Sequence, residues 1–127
     1  MKHHTTEPAF QEVFDVKQID YYMILTTVGS LEAAENLASM LVSEQVAACV
    51  QITPIHSTYA WKGKLHQDPE WLLLIKTRAD LYPRVEEALH DHHTYDTPEI
   101  IQVPILRGSA AYLAWIDANT GGDHLKS

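Results

Sequence analysis

The stretch Ala47-Ala48-Cys49-Val50-Gln51-Ile52-Thr53-Pro54-Ile55-His56-Ser57-Thr58-Tyr59-Ala60-Trp61, followed by Lys62-Gly63-Lys64 and a return through Leu65 to Thr77, decides the fold. Its first limb is rich in β-branched and aromatic residues, which suit a pleated surface. Pro54 interrupts that limb, and a proline inside a strand implies an edge position, a bulge or a bend. Lys62-Gly63-Lys64 is a hairpin signal, with Gly63 supplying a positive φ. The return limb, Glu70-Trp71-Leu72-Leu73-Leu74-Ile75-Lys76-Thr77, is apolar on both faces at its centre and reads as a strand in the middle of a sheet. The two limbs, Ala47–Trp61 and Leu65–Thr77, far exceed a mean strand of about 5–6 residues. A hairpin of that length overhangs shorter neighbours, and an exposed apolar edge seeks a partner. The pattern therefore predicts a homo-oligomer.

Working outward, Tyr21-Tyr22-Met23-Ile24-Leu25-Thr26-Thr27-Val28 is a buried strand that stops at Gly29. Ser30 is placed to cap a helix, with Glu32 and Glu35 near its positive end. Leu31, Ala34, Leu37, Ala38, Leu41 and Val42 fall on one face of about four turns. On the far side of the hairpin, Asp80 is expected to cap a second helix, with Pro83 in its first turn. Its inner face is Leu81, Val85, Ala88, Leu89 and His92, and it ends near His93. Glu99–Ile105 is the last strand, and Gly108-Ser109 opens a short final helix. The order β-α-β-β-α-β, joined by one hairpin with right-handed crossovers, gives a split βαβ: a four-stranded antiparallel sheet with both helices on one face. The fold class expected is α+β, with an extra C-terminal helix. Residues 1–19 are expected as a poorly ordered arm with a short strand around Phe10–Val16, residues 20–120 as the single domain, and residues 121–127 as a tail.

Composition bounds the partners. The chain has 127 residues, one domain's worth, and 46% hydrophobic residues, enough for a core. A net charge of −8 without a basic cluster argues against nucleic acid and against anionic membranes. No apolar run reaches membrane-spanning length. The N-terminal sequence has no apolar leader segment, and a cytoplasmic location is expected. Cys49 is the only cysteine, so neither an intramolecular disulfide nor a thiolate cluster within one chain can form; a buried, inert thiol is expected.

One more segment carries chemistry. Leu89-His90-Asp91-His92-His93-Thr94-Tyr95-Asp96-Thr97-Pro98-Glu99-Ile100-Ile101 sets imidazoles beside an aromatic, a proline and a carboxylate. Adjacent histidines on a helix point about 100° apart, so one chain does not easily chelate with both. His92 is read two ways, as a helix-face histidine against the sheet or as a metal ligand. His93 is likewise a ligand or an imidazole at the negative end of the helix dipole. Lys76 closes a buried apolar run and needs solvent or a carboxylate, for which Glu99 is the expected partner. With Trp61 and Tyr95 nearby, such a pair is either a structural ion pair or a pocket for a small anion. An RNA-recognition module shares the element order, but the third strand offers neither stacking aromatics nor basic charge.

Val46-Ala47-Ala48-Cys49-Val50, Tyr59-Ala60-Trp61-Lys62-Gly63-Lys64, Leu74-Ile75-Lys76-Thr77, His92-His93, Tyr95-Asp96-Thr97-Pro98-Glu99-Ile100-Ile101 and Tyr112-Leu113-Ala114-Trp115-Ile116 resemble, in order, the CutA family of divalent-cation tolerance proteins. The resemblance runs from Tyr21 to Thr120. It implies a ferredoxin-like βαββαβ sandwich, a homotrimer with hairpins paired across subunits as in PII signalling proteins, copper binding and a non-enzymatic role in metal tolerance. It implies copper ligands at His92, His93 and the position of Thr26, where metal-binding members carry cysteine. Threonine is not a soft ligand, so two imidazoles with water or carboxylate would suit Cu(II) or another divalent ion rather than Cu(I). It also implies that Trp61, Lys76, Tyr95 and Glu99 gather in a cleft between subunits. A PII-like scaffold binding a small anion there is the competing expectation, although the tight turn at Gly63 replaces the long effector loop of PII proteins.

Overall fold

The computed structural model describes residues 18–122. The arm up to residue 17, with the strand expected near Phe10–Val16, and residues 123–127 lie outside the described residues. The elements run β1 (Tyr21–Val28), α1 (Leu31–Ser43), β2 (Cys49–Trp61), β3 (Lys64–Arg78), a 3₁₀ turn (Ala79–Leu81), α2 (Tyr82–His92), β4 (Ile101–Pro104) and α3 (Ala110–Ala118). The sheet order is β2-β3-β1-β4, and every pairing is antiparallel.

Alternation along the strands separates two faces. Ile24 and Val28 of β1 and Leu73 and Ile75 of β3 point to the side covered by α1 and α2. There they meet Ala34, Leu37 and Leu41 of α1 and Val85 and Leu89 of α2 in one apolar cluster. α1 starts where Ser30 accepts a hydrogen bond from the Ala33 N–H at 3.1 Å. Its expected apolar face narrows at both ends, because Leu31 and Val42 are exposed. The other face carries Tyr21, Met23 and Lys76, and α3 lies against it: the Tyr21 hydroxyl donates to Asp117 at 2.7 Å, and the Lys76 Nζ sits 5.4 Å from the Tyr112 ring centre.

The hairpin is as long as expected. β2 and β3 pair from Cys49↔Lys76 out to Trp61↔Lys64. Pro54 does not break β2, because β2 is an edge strand and one of its two sides needs no donor. The turn is tighter than Gly63 alone suggests. Lys62 (φ 53°) and Gly63 (φ 77°) both take left-handed conformations, the pattern of a two-residue turn whose twist matches its strands. β1 covers β3 only from Trp71 to Arg78, so the ribbon Ile55–Trp61/Lys64–Glu70 projects with no third strand.

Three expectations need correction. Asp80 does not cap α2. It lies inside the 3₁₀ turn, where its carboxylate receives Arg78 Nε and Nη2 at 3.0 and 3.1 Å, and α2 begins with no side-chain cap. The last strand is Ile101–Pro104 rather than Glu99–Ile105, because it pairs only with Tyr22–Leu25 at the sheet edge. His92 does not face the core: it is exposed, while Val85 and Leu89 complete the inner stripe of α2.

Candidate functional site

The helix end at His92-His93 is built by a change of backbone. α2 stops at His92, and His93 takes an extended conformation (φ −83°, ψ 144°), while its N–H still closes the last helical bond onto Leu89 O at 2.9 Å. The two rings have different partners. His93 turns inward. Its Nδ1 accepts the Tyr95 N–H at 3.1 Å, so Nε2 carries the proton and donates to Thr27 O at 2.7 Å. Both ring nitrogens are therefore occupied. His92 Nδ1 lies 3.0 Å from Ala88 O, a pure acceptor, so Nδ1 donates and the lone pair sits on Nε2 of an exposed residue. His90 faces Glu86 at 3.6 Å one turn back.

Thr26 belongs to neither ring. It is fully buried on the core face, and its Oγ1 has no hydrogen-bond partner. Within the single chain His92 and His93 thus bond to different backbone groups, and Thr26 bonds to neither. Among the described residues no three histidine, cysteine, aspartate or glutamate side chains stand close enough to hold a metal ion.

The second constellation divides. Trp61, Tyr95 and Glu99 line one open cleft of about 860 Å³, together with Tyr59, Asp68 and Glu70 of the projecting ribbon. Lys76 is not among its lining residues and forms no ion pair with Glu99. Lys76 lies six positions along β3 from Glu70, a distance of ~20 Å at strand rise, and its ammonium is taken up by Tyr112. In place of the expected Lys76–Glu99 pair stands a cleft whose charged lining, among the described residues, is Asp68, Glu70, Asp96 and Glu99, with no lysine or arginine.

Two carboxylates in the cleft are fixed by phenols. Tyr59 donates to Asp68 at 2.6 Å and Tyr95 donates to Glu70 at 2.8 Å. Asp68 and Glu70 were not singled out from the sequence; their alternation on the face of β3 that also carries His66, the register partner of Tyr59, was the available signal. Burial and the bond to Glu70, with added repulsion from its charge, push the Tyr95 hydroxyl up to about 12 from an ordinary 10.0. The Tyr59 hydroxyl is raised chiefly by its bond to Asp68. A phenol with a raised folded-state value stabilises the fold in full below pH 10.0, and that contribution is lost as pH rises towards 12. An absorbance titration should show one tyrosine ionising near pH 12, and Glu70→Gln should move it down; an unchanged curve would show that Tyr95 does not feel Glu70.

An α+β protein with one four-stranded antiparallel sheet, three helices and a projecting ribbon beside an acidic, aromatic cleft is the class defined so far. The chain belongs to the CutA1 divalent ion tolerance protein family, whose profile it matches over residues 22–119. It is 43% identical over 100 residues to a divalent-cation tolerance protein CutA of Thermus thermophilus, covering 78% of this chain and 97% of that one. It is also 43% identical to a chloroplastic CutA of Arabidopsis thaliana over 105 residues, covering 82% of this chain; it spans only 58% of that relative's length. Among solved structures, CutA1 of Oryza sativa superposes with a TM-score of 0.79 at 40% identity, covering 83% of this chain and 97% of that one. The Thermus thermophilus protein superposes at 0.77 with 42% identity, covering 80% and 99%. Among the described residues no helix is long and apolar enough to cross a membrane.

Proposed function

We propose that this chain is a non-enzymatic, homotrimeric divalent-cation tolerance protein with ferredoxin-like protomers, and that it binds Cu(II) as an exchangeable ion through His92. The observation that carries the metal reading is the open Nε2 lone pair of exposed His92. Imidazole suits copper and zinc, and the name shared by the relatives fits the same class of ion. His93 would have to surrender two hydrogen bonds to ligate, so the pair does not act as a chelate. One imidazole with water makes a weak site, consistent with handling rather than permanent storage.

The projecting ribbon supports assembly. A two-stranded ribbon is marginal in water, and this one exposes Tyr59, Trp61 and Leu65 (44%, 56% and 74%). Pairing between copies covers that edge. A small-anion scaffold is the weaker reading, because among the described residues the cleft's lining offers an anion no cationic side chain.

Sedimentation and Cu(II) titration followed by EPR test the proposal together. The expected result is a trimer mass, with one-imidazole nitrogen coupling that disappears in His92→Ala and persists in His93→Gln. A monomer mass would defeat the assembly. Copper coupling unaffected by His92→Ala would defeat the metal site.

A further inference from the structure

We propose that the groove between α1 and α2 holds Cu(I), with the Met40 thioether and the His92 imidazole as its two ligands. The inference deepens the copper reading of His92 and rests on it: it names a second ligand and a second oxidation state for the same site.

Met40 of α1 and His92 of α2 line one small cavity, apart from the cleft beside the ribbon. Its volume is about 130 Å³, room for an ion with a few waters and too little for an organic molecule of ordinary size. The two donors suit a soft ion. The bond from His92 Nδ1 to Ala88 O leaves the Nε2 lone pair open. Met40 is half-buried and packs against the apolar cluster. Its flexible, polarisable side chain can follow an ion without moving the backbone. Thioether sulfur selects Cu(I), while imidazole accepts copper in either oxidation state. The resemblance puts a cysteine ligand at the position of Thr26, and threonine brings no sulfur; Met40 supplies it from a different element.

The surrounding charge favours a cation. Glu44, Glu87 and Asp91 outnumber Arg84 on the lining. α1 ends at Ser43 and α2 at His92, so Met40 and His92 both stand in last turns, at the negative ends of the helix dipoles. The acids do not form a cage of their own: among the described residues no three histidine, cysteine, aspartate or glutamate side chains stand close enough to hold a metal ion. A hard divalent ion, which takes many oxygen ligands, is poorly served by that arrangement. A closed-shell ion, whose d electrons impose no geometry, is served by a sulfur and a nitrogen.

The test is an anaerobic titration of the full-length protein with Cu(I), in competition with bicinchoninate, followed by X-ray absorption at the copper edge. All samples carry Cys49→Ser, which removes the one thiol. Met40→Leu keeps the volume of the side chain and so the fold. It should weaken Cu(I) binding about tenfold or more and abolish the sulfur scatterer, while the Cu(II) EPR spectrum stays as in the parent. His92→Ala should weaken both ions. Cu(I) affinity untouched by Met40→Leu, or a copper edge without sulfur in the parent, would overturn the inference and leave the Cu(II) reading standing. Cu(II) coupling indifferent to His92→Ala would defeat the Cu(II) reading instead, and a Cu(I) site that depends on both Met40 and His92 would survive it.

Discussion

Replacing Ile75 by alanine should destabilise the protein by ~2–5 kcal/mol in urea unfolding at fixed protein concentration. Ile75 is fully buried at the centre of β3, with Ile24 opposite it on β1 and Val50 opposite it on β2. Both neighbours are held by backbone ladders, and α1 and α2 close the cavity from above. The hole left by the lost side chain therefore cannot collapse, and the cost should fall in the upper part of that range. A loss below ~1 kcal/mol would mean that the core relaxes far more than its packing indicates.

The second large effect is a pair of opposite signs from one chemical change. Thr77 and Thr26 are both buried on the core face of adjacent strands. The Thr77 hydroxyl donates to Val46 O at 2.6 Å and ties β3 to the segment leading into β2. Thr77→Val removes that donor and should cost ~1–3 kcal/mol. The Thr26 hydroxyl has no partner, so its burial is uncompensated. Thr26→Val keeps the shape and removes the orphan, and should stabilise by about 1 kcal/mol. Calorimetric melting of both variants would show one midpoint falling and the other rising. If both fall, the Thr26 hydroxyl has a role that its surroundings do not reveal.

The sequence was most legible where a local signal and a long apolar pattern agreed. Tyr21–Val28 ends at Gly29, Ser30 caps α1, and Gly63 closes the hairpin, each a signal lying within a residue or two of the element it ends or begins. The interior position of β3 followed from its two-sided apolar run. Asp80 was misread because a carboxylate two residues from Arg78 has two possible partners, and the guanidinium offers two N–H groups at once. His92 was placed inward by extending the helical stripe, but the helix ends there, and it is His93 that bonds to β1, at Thr27 O. The pairing of Lys76 with Glu99 failed for another reason. A strand fixes what lies two residues away, but not to which end of the strand a later loop returns. Trp61, Tyr95 and Glu99, which the resemblance groups in a cleft between subunits, line one cleft of the single chain, and the sign of that cleft was not legible because it depends on Asp68 and Glu70 standing on the same face.

Pro54 has a consequence for aggregation. A sheet with two open edges can add strands without limit and grow into fibrils. Here one edge is β4, only four residues long and ending in Pro104, and the other is β2, interrupted as a donor row by Pro54. Neither edge offers an unbroken template along the body of the sheet. Only the two edges of the projecting ribbon beyond Pro54, Ile55–Trp61 and Lys64–Glu70, remain able to recruit backbone. Recruitment confined to so short a length favours assemblies that close on themselves over open-ended stacking. Removing Pro54 would extend the template into the body of the sheet and weaken that safeguard.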